Sequence, residues 1–437
     1  MATKPPVPPA AVDSTCSRSK HVVLASFGEP EEYHTVALYF ASKFPNASVH
    51  HLWLHLGNKE EEAAADAAKE STTGTGLRWQ LIKRAAELKE KKKKNHRHKS
   101  PVDWRAFYRS HGIHRSVVDM ASLDAYHKLR ATYLHSSING YEYELLCFAR
   151  FIGLHEFCFN KGIEQLTWID ADIPIFDPEF LGRVCLPLGY SIWALYSGSS
   201  FLNTMTCSEI GRFVDFILDF YAKENRHALV RAIHAHGSSA MSERQSITEQ
   251  VRQAEPAFAE LGIDPKHFSD MFLFSKFLQD TNAIAANAAR DSEYRKQEEN
   301  NATPLSATAP RNPRKPKKAY IHLDENGGMI DPYFGPIFSM RNSVPGPDRE
   351  RLCLDETVWN NYFSLRSSDV GEDRGEPAAR ETNRTRLGLS FNESGTWVPI
   401  SGAHFQGDDC KARLLSAFSE EIAKASGRAG GPRTVRA

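Results

Sequence analysis

Two aspartates, Asp170 and Asp172, stand one residue apart inside the apolar run Trp168 to Phe176, WIDADIPIF. The run reads as a short strand, and side chains two residues apart on a strand leave on the same side. Both carboxylates are therefore expected to face one point and to share a divalent cation such as Mn²⁺ or Mg²⁺, because hard cations prefer carboxylate oxygen. The pattern is short, so its surroundings must decide whether it is a metal site.

Several classes of enzyme place such carboxylates at the carboxyl end of a sheet strand, among them metal-dependent phosphatases, two-metal nucleases and sugar-nucleotide transferases. Ile173-Pro174 follows the second aspartate, where phosphatases of the haloacid type usually have threonine. A two-metal nuclease requires further acidic residues close by, and Asp177 and Glu179 are the only candidates. Ile173-Pro174 therefore weakens the phosphatase interpretation.

A second group of chemical interest lies near the end of the chain, in the sequence SGAHFQGDDCK. Imidazole is a common third metal ligand, which His404 would provide. Gly407 would let the backbone approach a phosphate, and Lys411 would supply a point charge to it. A helix is expected to begin here, and its amino terminus adds partial positive charge. Together with the two aspartates, these residues predict a cradle for a metal-bound diphosphate.

The elements that must position these residues predict an α/β fold. A strand at His21 to Ser26, a helical pattern and a second strand at Ser48 to Leu54 are typical of a βαβ unit in a parallel sheet. A long amphipathic helix is predicted from Tyr141 to Lys161 and leads into the Asp170 strand. Thr206 to Glu209 forms a capping box for a helix that ends near Tyr221. Further elements are predicted as follows: a strand at 116–120, a helix around 123–134, a helix beginning near Pro265, a strand pair within 387–400 and a final helix over about 412–424.

Composition bounds the class of protein. The chain has 437 residues with 54 basic and 54 acidic side chains, so it has no general electrostatic attraction for nucleic acid or anionic lipid. We expect a single large domain over 20–424, with insertions at about 57–100, 283–318 and 367–386 and disordered tails at 1–19 and 425–437. The seven cysteines have no framework-like spacing and are expected to be reduced core residues. No apolar run is long enough for a transmembrane segment and the amino terminus lacks a signal-peptide core, so a cytoplasmic location is expected.

The run Cys147 to Phe176 resembles glycosyltransferases of the GT-A fold, in which an arginine-bearing helix precedes a strand ending in Asp-x-Asp. His404, Gly407 and Lys411 resemble the carboxy-terminal His-x-x-Gly-x-x-Lys motif of the glycogenin and lipopolysaccharide galactosyltransferase group, with one extra residue before the lysine. The resemblance extends from about position 21 to 411 and is specific only at these motifs and in the intervening segments LHEF, SGSSFLN and FSDMFLF. It implies a mixed, mostly parallel, Rossmann-like sheet flanked by helices.

The resemblance also implies roles for individual residues. Asp172 and His404 would bind the metal directly, and Asp170 would contact the metal, the ribose or both. Arg150 would touch the donor sugar or its phosphates, beside Gly407 and Lys411. In such enzymes Mn²⁺ (or Mg²⁺) neutralises the charge that grows on the departing nucleoside diphosphate. The loop 27–33 would lie near the nucleotide base.

The sequence allows two interpretations for each of three acidic residues. Asp270 is interpreted either as a catalytic carboxylate near the sugars or as a helix cap. Glu142 and Glu144 face either the site or the solvent.

The sequence therefore predicts a metal-dependent hexosyltransferase that uses a nucleoside-diphosphate sugar, with a UDP-sugar as the expected donor, and an unknown acceptor. Retention of the anomeric configuration is favoured only by analogy. A metal-dependent phosphoester hydrolase is one alternative. A catalytically silent, glycosyltransferase-like binding module is another, against which the presence of Asp170, Asp172 and His404 argues.

Overall fold

The computed structural model describes residues 20–28, 30–57, 102–137, 139–178, 202–222, 224, 226–237, 251–280, 337–339, 344, 347–368, 386–393, 396–400, 402–405 and 407–425. The predicted tails lie outside these residues except for Ala425, which is the last residue of a helix, and nearly all residues of the three predicted insertions also lie outside them.

A five-stranded sheet with the order β3-β2-β1-β4-β5 forms the centre of the fold. Its strands are β1 (Lys20–Phe27), β2 (Ala47–His55), β3 (His114–Asp119), β4 (Gln165–Ile169) and β5 (Leu202–Thr206). All neighbouring pairs are parallel except β4 with β5, which is antiparallel. The predicted fold class, a mixed and mostly parallel sheet flanked by helices, is confirmed.

Helices cover both faces of this sheet, because its central strands are apolar on both sides. One core contains side chains of α1 (His34–Ala41), α2 (Trp104–His111) and the carboxy-terminal α11 (Asp408–Ala425). The opposite core contains side chains of α3 (Asp124–Thr132), α4 (Tyr141–Lys161), α5 (Cys207–Tyr221), α6 (Arg226–His236), α7 (Pro256–Glu260) and α8 (Asp270–Asp280). A short 3-10 helix (Met120–Ser122) follows β3.

The remaining described elements lie in the carboxy-terminal part of the chain. They are β6 (Ile337–Ser339), α9 (Asp348–Arg351), α10 (Glu356–Tyr362), β7 (Phe363–Ser368), β8 (Arg386–Glu393), β9 (Thr396–Ile400) and β10 (Gly402–His404). Strands β7, β8 and β9 form an antiparallel sheet, and β10 pairs in parallel with β6.

Elements that are determined by local sequence agree closely with those predicted. The long helix spans Tyr141–Lys161 as predicted. The side chain of Thr206 accepts from the backbone of Glu209 and the Glu209 side chain accepts in return, so the predicted capping box is present. The helix predicted to begin near Pro265 begins instead at Asp270, and the final helix begins earlier than predicted, at Asp408.

The prediction that the cysteines are reduced core residues is wrong for four of them. Disulfides join Cys158 to Cys207 and Cys353 to Cys410, whose Cα atoms lie 5.8 and 4.8 Å apart. The partners are 49 and 57 residues apart in sequence, so only the tertiary fold brings them together. Disulfides are typical of oxidising compartments, and the cytoplasmic location stays a prediction.

Among the described helices, none combines the length and the apolar character that crossing a bilayer requires.

Candidate active site

The two aspartates of the WIDADIPIF run lie in a turn, not on a strand. Strand β4 ends at Ile169, and the backbone N–H of Ile173 donates to the carbonyl of Asp170 at 3.0 Å. This turn removes the two-residue alternation of an extended segment, so the expectation that both carboxylates leave on one side of a strand is wrong. Asp170 and Asp172 instead contact different partners.

Asp172 meets residues from the far end of the chain. Its carboxylate lies 3.6 Å from Nε2 of His404 and 3.6 Å from Nζ of Lys411. The three side chains are 17, 12 and 24% exposed, so their charges are poorly screened by solvent. The structure thus brings together three of the residues that the sequence singled out.

Strand β10 holds His404 in place by docking on the segment after the Asp170 turn. The N–H of Phe405 donates to the carbonyl of Asp172 at 3.0 Å, and the N–H of Ala403 donates to that of Pro174 at 3.2 Å. Gly402 permits this close approach, because a Cβ there would lie 2.9 Å from Ile175 Cδ1 and 3.0 Å from the Pro174 oxygen. Backbone contact between β10 and the turn therefore sets the distance between Asp172 and His404.

Lys411 reaches the site despite the extra residue in its motif. Gly407 has a positive φ of 85°, helix α11 begins directly after it, and the N–H of Lys411 donates to the Gly407 carbonyl at 3.1 Å. A side chain in the first turn of a helix points back toward the amino terminus of the helix. The ammonium also lies 4.8 Å from the ring centroid of Tyr33, in the loop after β1, a cation–π contact that fixes it from the other side.

Arg150 is buried between two carboxylates. Its guanidinium donates to Asp170 at 2.9 Å and to Asp270 at 2.5 Å, and it lies over the Trp168 ring at 4.3 Å. Its side chain is 13% exposed, and those of Asp170 and Asp270 are 24 and 6% exposed. Asp270, the first residue of α8, therefore contacts Arg150 from the buried side. Asp170 contacts Arg150 from the more open side.

Burial governs the protonation of the site. Burial, helped by the negative charges of Asp172 and Asp270, raises the pKa of Asp170 to about 7 against the opposing effect of Arg150. Burial lowers the pKa of His404, with Asp172 opposing, so the imidazole is neutral at pH 7 and has a lone pair for a cation. Burial and then the charge of Asp172 raise the pKa of Tyr33 above its usual range.

The side chains of Asp172 and His404 fit a shared cation. Two ligands at about 2.1 Å from an octahedral ion and at right angles are roughly 3 Å apart, and this pair needs to close only slightly from 3.6 Å. One oxygen of Asp170 is held by Arg150, and no set of three or more His, Cys, Asp or Glu side chains is arranged around a common point in the described part of the chain. The three-ligand set Asp170, Asp172 and His404 therefore stays a prediction.

The structure settles the position of Glu144, which the sequence left open, and adds Tyr33 to the site, which the sequence did not single out. Glu144 is 1% exposed and Glu142 is exposed, so only Glu144 belongs to the interior. The helical spacing of Glu144 with the buried Phe148 and Phe151 is the signal that distinguishes the two glutamates. Tyr33 carried no comparable signal, because its contact with Lys411 joins opposite ends of the chain.

No protein-family model matches the chain, and no curated protein matches its sequence. Among solved structures, mouse xyloside xylosyltransferase 1 in its apo form is similar over 61% of this chain and 83% of its own, with 11% identity and a TM-score of 0.28. The PaToxG glycosyltransferase is similar over 62% of this chain and 87% of its own, with 8% identity and a TM-score of 0.21.

Proposed function

We propose that the chain is a metal-dependent glycosyltransferase that uses a nucleoside-diphosphate sugar, with UDP-sugars as the preferred donors. The observation that carries the proposal is the convergence of Asp172, His404 and Lys411. The Asp172 carboxylate, which follows strand β4, lies 3.6 Å from the imidazole of His404 and 3.6 Å from the ammonium of Lys411, which are 232 and 239 residues later in the sequence. The carboxylate and the imidazole are ligands for a cation, and the ammonium is a hydrogen-bond donor for a diphosphate.

Each residue has a distinct task in this proposal. Asp172 and His404 would hold a Mn²⁺ or Mg²⁺ ion, and Asp170 would contribute to the ion or to the ribose. When bound, the ion would neutralise the charge that develops on the departing diphosphate. Lys411 would add a positive charge on the same side, fixed in advance by Tyr33.

Arg150 would face the donor sugar or its phosphates across Asp170. Because Asp270 is 6% exposed and contacts the guanidinium, we assign it to orienting Arg150 rather than to contact with the sugars. This differs from the first of the two interpretations of Asp270 drawn from the sequence, that of a catalytic carboxylate near the sugars.

The division of the two aspartates disfavours the phosphoester hydrolase alternative. A hydrolase built on this pair needs both carboxylates on its metal centre. Here Arg150 holds Asp170 while His404 and Lys411 contact Asp172.

The test is calorimetric titration of the full chain with UDP, in excess Mn²⁺ and in excess chelator. We expect Mn²⁺ to raise UDP affinity and Asp172→Asn to reduce that gain by about tenfold or more, since one direct ligand is weakened. Asp119→Asn is the matched control, because Asp119 pairs with His55 at 3.7 Å at the same edge of the sheet but is 57% exposed. Equal UDP affinity with and without metal would contradict the proposal.

Turnover is tested with UDP-glucose, UDP-galactose and UDP-N-acetylglucosamine, by following metal-dependent release of UDP. Release from any of these donors supports a transferase. Metal-dependent UDP binding without release from them would favour the binding module, and phosphate release from a simple phosphomonoester without UDP binding would favour the hydrolase.

A further inference from the structure

Glu144 is a buried acid on the helix that carries Arg150. It lies in the first turn of α4, is 1% exposed and shares the buried face of that helix with Phe148 and Phe151. Carboxylates are almost never fully buried unless they are paired or hydrogen-bonded. The hydrogen-bond partners of this side chain therefore account for its burial.

The Glu144 carboxylate binds the segment that precedes α4. One oxygen accepts from the hydroxyl of Ser137 at 2.9 Å and from the amide of Asn139 at 2.5 Å. The N–H of Asn139 donates to the Ser137 hydroxyl at 3.1 Å, which closes the group locally. The Ser137 hydroxyl also lies 3.0 Å from Nδ1 of His267, so the group extends to a segment 130 residues away.

Backbone hydrogen bonds join the same two segments. The N–H of Phe268 donates to the carbonyl of Ser136 at 2.7 Å, and the Ser136 hydroxyl donates to the carbonyl of Lys266 at 2.6 Å. Asp270 follows two residues after Phe268 and begins α8. Movement of Ser136 and Ser137 would therefore move the start of α8.

We propose that Glu144 is a positioning residue for Arg150, acting through Ser137, His267 and the start of α8 on Asp270. This inference rests on the proposed function, in which Arg150 contacts the donor. Arg150 receives its orientation from both sides, from Asp170 at the open side and from Asp270 at the buried side. Glu144 sets the buried side without touching substrate, and displacements of about 1 Å at such a site lower rates by roughly 10²-fold.

The first test compares Glu144→Ala, Ser137→Ala and Glu144→Gln with the control Glu142→Gln, an exposed acid in the same helical turn. The assay is metal-dependent release of UDP from the best of the three UDP-sugars, at a temperature where every variant is folded. We expect kcat to fall about tenfold or more in the two alanine variants, with UDP affinity in Mn²⁺ changed less than about twofold. Glu144→Gln keeps an acceptor oxygen for Ser137 and Asn139, so it should stay within about threefold of wild type, as should Glu142→Gln.

Unchanged kcat in the folded alanine variants, or an equal loss in Glu142→Gln, would overturn the proposal. A purely structural role would lower the urea midpoint of unfolding and leave kcat unaffected.

The second test does not depend on activity, and so separates this inference from the proposed function. It measures the urea midpoints of Ser137→Ala, Arg150→Met and the double variant. Ser137 is uncharged, so non-additive shifts would report positional coupling between the two residues. Ser110→Ala combined with Arg150→Met is the additive control, since Ser110 is exposed on α2, its hydroxyl donates to the carbonyl of Phe107, and α2 packs in the core opposite to that of α4. Additive shifts in the Ser137 cycle would overturn the positioning role even if no UDP-sugar is turned over.

Discussion

Arg150 offers the most direct test of the site as a physical arrangement. The substitution Arg150→Met removes the guanidinium and keeps most of the length of the side chain. It leaves Asp170 and Asp270, now 2.9 and 2.5 Å from nitrogen, without the cation that pairs with both. Breaking a buried ion pair from one side costs about 3–5 kcal/mol, and the lost contact with the Trp168 ring adds up to about 2 kcal/mol.

Exposure sets where in that range the result should lie. Asp170 is 24% exposed and recovers part of its hydration, while Asp270 is 6% exposed and recovers almost none. We expect a loss of about 4 kcal/mol in the free energy of unfolding at pH 8. Against a typical total of about 5–15 kcal/mol, such a loss is easily measured.

The assay is urea unfolding at pH 8 and at pH 5.5. Arg150 opposes the effect of burial on the pKa of Asp170, so its removal raises that pKa further above the value of the unfolded chain. The folded variant then loses more stability than wild type as the pH rises from 5.5 to 8. The deficit of Arg150→Met relative to wild type should therefore be smaller at pH 5.5 than at pH 8. Arg115→Met is the control, because Arg115 is exposed on β3 and stacks on Trp53 at 3.7 Å, a contact that contributes about 0.5–1 kcal/mol.

A loss below about 1 kcal/mol, comparable to the control, would refute the reasoning that Arg150 compensates two buried carboxylates. A deficit that is the same at both pH values would refute the electrostatic part of it and would leave only packing as the cause.

Three further predictions concern the frame around the site. Gly402→Ala introduces a Cβ 2.9 and 3.0 Å from its neighbours and should cost about 1–3 kcal/mol in urea unfolding. It should also weaken Mn²⁺-dependent UDP binding because β10 carries His404, and unchanged binding would contradict the proposed docking of this strand. Replacing both Cys353 and Cys410 by serine removes a link across 57 residues and should cost about 4 kcal/mol. Dithiothreitol should lower the wild-type unfolding midpoint at least as much, because it also reduces the Cys158–Cys207 disulfide, and insensitivity to both changes would refute this prediction. Burial lowers the pKa of His50 to about 4, so the unfolded chain binds more protons and stability should fall as the pH drops from about 6.5 toward 4; His50→Gln should flatten that fall by about 2 kcal/mol, and an unchanged slope would contradict this.

Features that depend on neighbours within one or two turns were predictable from sequence. The helix Tyr141–Lys161 follows from apolar side chains at helical spacing and ends at Gly162, whose φ of 62° suits a helix terminus. The Thr206 capping box follows from two side chains three residues apart. The parallel sheet follows from alternating strands and helices, because a crossover helix is the usual way to join parallel strands.

Features that depend on contacts across the chain were decided only by the tertiary structure. The sequence named Asp170 and Asp172 as equals on one strand, whereas the turn after β4 gives the first to Arg150 and the second to His404 and Lys411. The four bonded cysteines have no recognisable pairing in the sequence, and only the tertiary fold brings each pair together. Loop closure over such separations is favoured only when the whole core forms, so no local pattern encodes it. Sequence alone thus selected the residue types for cation and phosphate chemistry, and packing of β10 and α11 on the Asp170 turn decided which of them meet.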